Sequence, residues 1–217
     1  MTLLFTIIEI IGVVSFGISG AIMAIDKEND IVGVLLLSLI TTFGGGFMRD
    51  VILGQTPVFF ESYLLVAVTA ASSLLTFFLA MIFKNHYVKN EAFINSINNY
   101  FDAAGLGVFV VSGVKICLSY GQTNPFLIIL MGILSGTGGS VLRDVIMCEV
   151  PYVLRKRIYI LAAFAGVGLY YFLHVNEVSD LIAMPVSALL VFVVRICATI
   201  FKWNMPKAID FNKLGRK

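Results

Sequence analysis

Long apolar runs alternate with short polar breaks from one end of the chain to the other. The runs cover about 4–25, 31–48, 62–83, 102–120, 125–142, 157–174 and 180–201. Each has about the 20 residues that a helix needs to cross a bilayer. The breaks are Asp26 to Asp30, Arg49 to Glu61, Lys84 to Asn99, Tyr120 to Asn124, Arg143 to Arg157 and His174 to Asp180. The pattern predicts an all-α integral membrane protein of seven transmembrane helices, a single membrane domain over 1–217. The first run carries Glu9 and lacks a basic leader, so it reads as a span and not as a signal peptide.

Composition narrows the classes. The 217 residues are 59% hydrophobic and only 13% charged, with a mean hydropathy of +0.96. Soluble domains are about 25% charged. A net charge of +2 without a basic, aromatic-interleaved stripe argues against nucleic acid. Cys117, Cys148 and Cys197 have no metal-type spacing, and His86 and His174 stand apart from any Cys, Asp or Glu set. No cofactor, fixed metal site or catalytic cluster is expected, and therefore no enzyme. Twelve of the 15 basic residues fall on the side that holds the C-terminus, and Arg49 alone falls on the other. The positive-inside rule then places the N-terminus outside and the basic tail, 202–217, in the cytoplasm of a cell (inner) membrane.

An internal repeat organises the spans. Gly44-Gly-Gly-Phe-Met-Arg-Asp-Val-Ile52 matches Gly138-Gly-Ser-Val-Leu-Arg-Asp-Val-Ile146 at an offset of 94, and Pro57 matches Pro151. Glu9, Gly12, Phe16, Ser19 and Gly20 match Asp102, Gly105, Phe109, Ser112 and Gly113 one residue out of that step. Repeats over 4–83 and 102–174 hold three helices each, and 180–201 is left as a seventh. Three is odd, so the second repeat enters the membrane from the opposite side. Such inverted repeats are typical of transporters and some channels.

The candidate chemistry lies where the repeat is strongest. Gly44, Gly45 and Gly46 together cost about 3 kcal/mol of helix propensity relative to alanine, and Gly136, Gly138 and Gly139 repeat the weakness. Glycine-broken helices at matching places of inverted halves mark an ion path. Close helix packing, as in Ser38-x-x-x-Thr42 and Gly132-x-x-x-Gly136, is the other reading. Ser38, Thr41, Thr42, Ser135, Thr137 and Ser140 would line the path with oxygens that suit a partly dehydrated monovalent cation. Glu9 with Arg49-Asp50 would charge the outer mouth, and Asp102 with Arg143-Asp144 the inner one. Arg49 is expected to pair with Glu9, and Arg143 with Asp102. Lys115 either snorkels outward or sits in the path as a gating charge. Arg195 is read as snorkelling inward or bridging protomers.

The doubled Gly-Gly-x-x-x-Arg-Asp stretch in three plus three plus one helices resembles the prokaryotic homologues of the trimeric intracellular cation (TRIC) channels, whose bacterial members also carry the label "glycine transporter". The resemblance covers residues 4–201. It implies a homotrimer with one pore per protomer between the second and fifth helices, passing potassium and sodium. The motif positions are Gly44, Gly45, Gly46, Arg49, Asp50, Gly138, Gly139, Arg143 and Asp144. The animal channels carry Lys-Glu-Val where this chain has Lys115-Ile-Cys, so phosphoinositide control is not implied. Arg155, Lys156 and Arg157 offer a place for other anionic lipid. A secondary transporter of a small zwitterion such as glycine remains the alternative.

Overall fold

The structure, a computed structural model, describes residues 3–155 and 158–203, with Arg155 described in its backbone alone. The side chains of the Arg155-Lys156-Arg157 stretch and the tail from 204 onward lie outside the described residues.

The described residues form ten helices: α1 (Leu3–Ile25), α2 (Ile31–Ile52), α3 (Val58–Glu61), α4 (Tyr63–Ile82), α5 (Lys84–Lys89), α6 (Glu91–Ser119), α7 (Pro125–Ile146), α8 (Tyr152–Arg155), α9 (Ile158–Val175) and α10 (Asp180–Ile200). Seven of them, α1, α2, α4, α6, α7, α9 and α10, are long and apolar enough to cross a membrane. Many large apolar side chains face outward, Leu36, Phe47, Leu79, Phe164, Phe172 and Leu189 among them. That much exposed hydrocarbon suits lipid and not water. The chain is a multi-pass membrane protein.

The repeat is visible in the packing. The helices α1, α2, α3 and α4 correspond to α6, α7, α8 and α9, and α10 is unduplicated. Asp30 caps α2 by accepting from Gly33 N at 2.8 Å, and Asn124 caps α7 by accepting from Phe126 N at 3.0 Å. The two self-related contacts, α1 on α6 and α2 on α7, form the centre. There Phe16 and Phe109 stack with ring centroids 5.2 Å apart. Gly12 lies under Phe109 and Gly105 under Phe16, and a Cβ on Gly105 would overlap the Phe16 ring. The seventh span, α10, packs on α6 and α9.

Three expectations are corrected. The fourth span starts at Glu91 rather than 102. Its 29 residues reach about 43 Å at ~1.5 Å per residue, well past a hydrocarbon core of ~30 Å. The first three turns carry Asn95, Asn98 and Asn99, so an apolar pattern does not mark them. The second and fifth spans run on to Ile52 and Ile146, beyond 48 and 142, because the charges at their ends are neutralised within the helix.

The glycines do not break α2 or α7: both helices run through them uninterrupted. Their role is close approach. A Cβ on Gly45 would collide with the Ser135 carbonyl, and one on Gly139 with the Thr41 carbonyl; these are the same contact in each half. A Cβ on Gly138 would lie 2.9 Å from Gly45 Cα, and one on Gly44 3.1 Å from Gly139 Cα. Missing side chains bring two backbones together, which explains the run of small residues without any loss of helix.

Candidate functional site

The motif charges build two matching corners. At the end of α2, Arg49 Nε and Nη2 both donate to Asp50 Oδ1 at 2.7 Å. Asp50 Oδ2 accepts from Val58 N at 3.1 Å, and the Asp50 carbonyl accepts from Gln55 N at 2.8 Å. At the end of α7, Arg143 Nε and Nη2 donate to Asp144 Oδ1 at 2.9 and 2.8 Å. Asp144 Oδ2 accepts from Tyr152 N at 2.8 Å, and its carbonyl from Glu149 N at 2.9 Å. All four side chains are buried. Each aspartate thus ties a helix end, the turn beyond it and the next short helix together. Pro57 and Pro151 stand just before α3 and α8. The expected pairs, Arg49 with Glu9 and Arg143 with Asp102, give way to these neighbours in sequence.

The two corners open on unequal spaces. At the Arg49 end, Glu9, Thr42, Gly46, Arg49, Asp50 and Ser112 share a cavity of about 30 Å³ with the apolar Val13, Leu65 and Phe109. Ser112 Oγ donates to Glu9 Oε1 at 3.4 Å. Thr42 Oγ1 is buried without a hydrogen-bond partner among the described residues. At the Arg143 end, a cavity of about 580 Å³ takes in Asp26, Lys27, Glu91, Asn95, Asn98, Asn99, Asp102, Arg143, Asp144 and Glu149. The turns after α1 and α7 border it, where Lys27 is ion-paired to Glu149 at 2.5 Å, and the Tyr87 hydroxyl of α5 donates to Asp26 at 2.9 Å. Half-burial raises the Asp26 carboxyl above its ordinary range, and burial together with Asp26 pushes the Tyr87 hydroxyl up.

The remaining candidates divide. Thr41, Ser135 and Thr137 donate to carbonyls one turn back, on Leu37, Met131 and Ile133. Ser140 donates to the Thr137 carbonyl and lies 3.3 Å from the Tyr159 hydroxyl. Ser38 is buried against Gly20 and has no partner among the described residues. Gly136 packs on Leu106 and Val110 of α6. Of the glycines, Gly46 alone borders the small cavity. Lys115 reaches the start of α10, with Nζ 2.9 Å from Asp180 Oδ2 and 4.8 Å from the Phe5 ring centre.

Arg195 neither snorkels nor faces a second protomer. It is 2% exposed, 3.3 Å from Asp102 Oδ2, and stacked 4.5 Å from the Tyr159 ring and 5.3 Å from the Tyr152 ring. The signal for this was available: a lone arginine deep in an apolar span needs a buried acid, and Asp102 was one of few candidates.

Seven apolar helices in an inverted repeat, with buried charges gathered at two ends of a central seam among the described residues, have the architecture of many membrane transport proteins. The comparisons make this specific. The family described as "Glycine transporter" matches residues 6–81 and again 99–175, the two repeats in turn. A UPF0126 membrane protein of Deinococcus radiodurans is 38% identical over 74% of this chain and 72% of its own length. The inner membrane protein YadS of Escherichia coli is 31% identical over 94% and 97%. A prokaryotic TRIC channel crystallised in 0.5 M KCl superposes with TM-score 0.83 at 31% identity, over 94% of this chain and all of that one. The TRIC orthologue from Rhodobacter sphaeroides gives 0.82 at 30%, over 93% and all. The chain belongs to this family and is a bacterial member of the TRIC group.

Proposed function

We propose that this protein is a channel for monovalent cations, potassium and sodium, assembled as a homotrimer with one path in each protomer. The observation that carries the reading is the full-length likeness to TRIC cation channels, 35% identical in one structure over 95% of this chain. The site supports it. The path runs along the α2–α7 seam beside α1 and α6, between the small cavity at Glu9 and the wide one at Asp102. Both ends carry carboxylates, which suit cations. The basic residues orient the chain in the inner membrane with the Glu9 end outside and the wide vestibule in the cytoplasm. Arg155, Lys156 and Arg157, which the same rule assigns to the inner side from sequence alone, offer anionic headgroups a basic stretch.

The test is purified protein in a planar bilayer under asymmetric potassium chloride. Unitary steps that reverse toward the potassium potential support the channel. Saturable glycine uptake into proteoliposomes without unitary steps supports the zwitterion transporter that the family's label names.

A further inference from the structure

We infer that Glu9, Thr42 and Ser112 form a binding site for one partly dehydrated monovalent cation at the outer end, and that the inner end has none. The inference rests on the channel reading above and names the site within it.

The three groups converge on the cavity of about 30 Å³, room for one water-sized particle. Glu9 and Thr42 are 6% and 2% exposed. The Ser112 hydroxyl donates to Glu9, which leaves its oxygen lone pairs free to face an ion. Thr42 Oγ1 has no hydrogen-bond partner among the described residues and borders the same space. Arg49 borders it too, but Asp50 holds that guanidinium through both Nε and Nη2. Lys115 is held by Asp180. Glu9, Arg49 and Asp50 together leave the pocket one formal negative charge. A carboxylate and two hydroxyls in a tight space replace hydration of a monovalent cation and give a divalent one too little charge.

The repeat supplies an internal control, since each ligand has a counterpart at the other end and each counterpart is disabled. Asp102, matching Glu9, is ion-paired to Arg195. Ser19, matching Ser112, accepts from Arg143 Nη1 at 3.4 Å. Gly136, matching Thr42, has no side chain. The space there is about 580 Å³ and polar, wide enough for hydrated ions. Matching places in the two repeats thus form a binding constriction at one end and a vestibule at the other.

Two measurements on the purified full-length protein test the site. The first is conductance against potassium concentration in bilayers. Glu9→Gln, Thr42→Val and Ser112→Ala should each raise half-saturation, roughly tenfold for the lost charge, while Ser19→Ala should leave it alone. The second is the thermal midpoint in potassium chloride against N-methylglucamine chloride at equal ionic strength. Wild type should gain stability from potassium by mass action, and the three variants should not. Thr42→Val keeps shape and branching, so it remains readable where Glu9→Gln folds poorly. Currents with unchanged half-saturation in all three variants, or a potassium shift that survives them, overturn the site and leave the channel standing. A potassium-specific shift that the variants abolish, in a protein that carries no current, keeps the site and overturns the channel.

Discussion

An arginine followed by an aspartate at the end of a membrane helix solves two problems at one position. The guanidinium enters the low-dielectric region already neutralised, and the spare carboxylate oxygen ties down the next turn through Val58 N or Tyr152 N. Removing one partner strands the other. Arg143→Ala should cost about 3–5 kcal/mol of stability, and Arg143→Ala with Asp144→Ala less than the sum, measured as a double-mutant cycle of unfolding in detergent. The residue types and the repeat were plain in the sequence, but the pairing was not. Neighbours in a helix point apart, so the sequence favoured the distant Glu9 and Asp102; a long arginine folds back far enough to defeat that rule. Asp26 yields a second prediction at this scale. Burial raises its carboxyl above the ordinary 3.8, Glu91 adds to the rise, and Tyr87 and Lys27 oppose it. A raised folded value means that folding favours the protonated form. Its contribution is therefore full below the ordinary value and fades as pH climbs through the raised one. Asp26→Asn should flatten that part of the stability profile from about pH 4 upward, read as thermal midpoint against pH.

The glycines of α2 and α7 act at the scale of the helix. Counting propensity makes three adjacent glycines a weakness, and in water they would be one. In this seam the same residues let the Gly45 and Gly139 backbones touch the facing carbonyl ridge, and the helix stays intact. Propensity is local, and the sequence holds no signal for how closely a partner approaches. Substitutions separate the two effects. Gly139→Ala drives a methyl into the Thr41 carbonyl and should cost about 1–3 kcal/mol through overpacking. Gly46→Ala meets only Arg49 Nη2, at 3.7 Å, and should gain about 1 kcal/mol of helix propensity. Because Gly46 borders the small cavity, that more stable variant should conduct less. Thermal unfolding beside single-channel recording reads both. Span boundaries followed the same logic: the apolar cores of all seven were legible, whereas the polar start of α6 was hidden because hydropathy reports lipid contact and not helix.

Two copies of a three-helix unit, facing opposite ways, make a molecule whose halves would behave alike unless something distinguishes them. The inversion and the doubled Arg-Asp motif could be read from the offset of 94 residues, because a repeat prints its symmetry in the sequence, although the partner of each arginine could not. What breaks the symmetry could not be read that way, since α10 has no counterpart to compare. Its Arg195 crosses to Asp102 of the second repeat and lies on Tyr159 and Tyr152 of the same half. Glu9, at the matching place in the first repeat, has a serine hydroxyl instead. The added helix therefore does two things: it covers α6 and α9, and it cancels one carboxylate. The two contributions are separable. Arg195→Met keeps much of the apolar bulk against the tyrosines but leaves Asp102 buried without its cation, and should lose about 3–5 kcal/mol of stability. Adding Asp102→Asn should restore most of it, because an amide in that place carries no charge to strand. If the single and double variants unfold alike, α10 acts through packing alone and the charge of Asp102 is carried by the wet vestibule beside it. If the double variant recovers, the buried pair is what lets the seventh helix make one end of an inverted repeat electrically unlike the other.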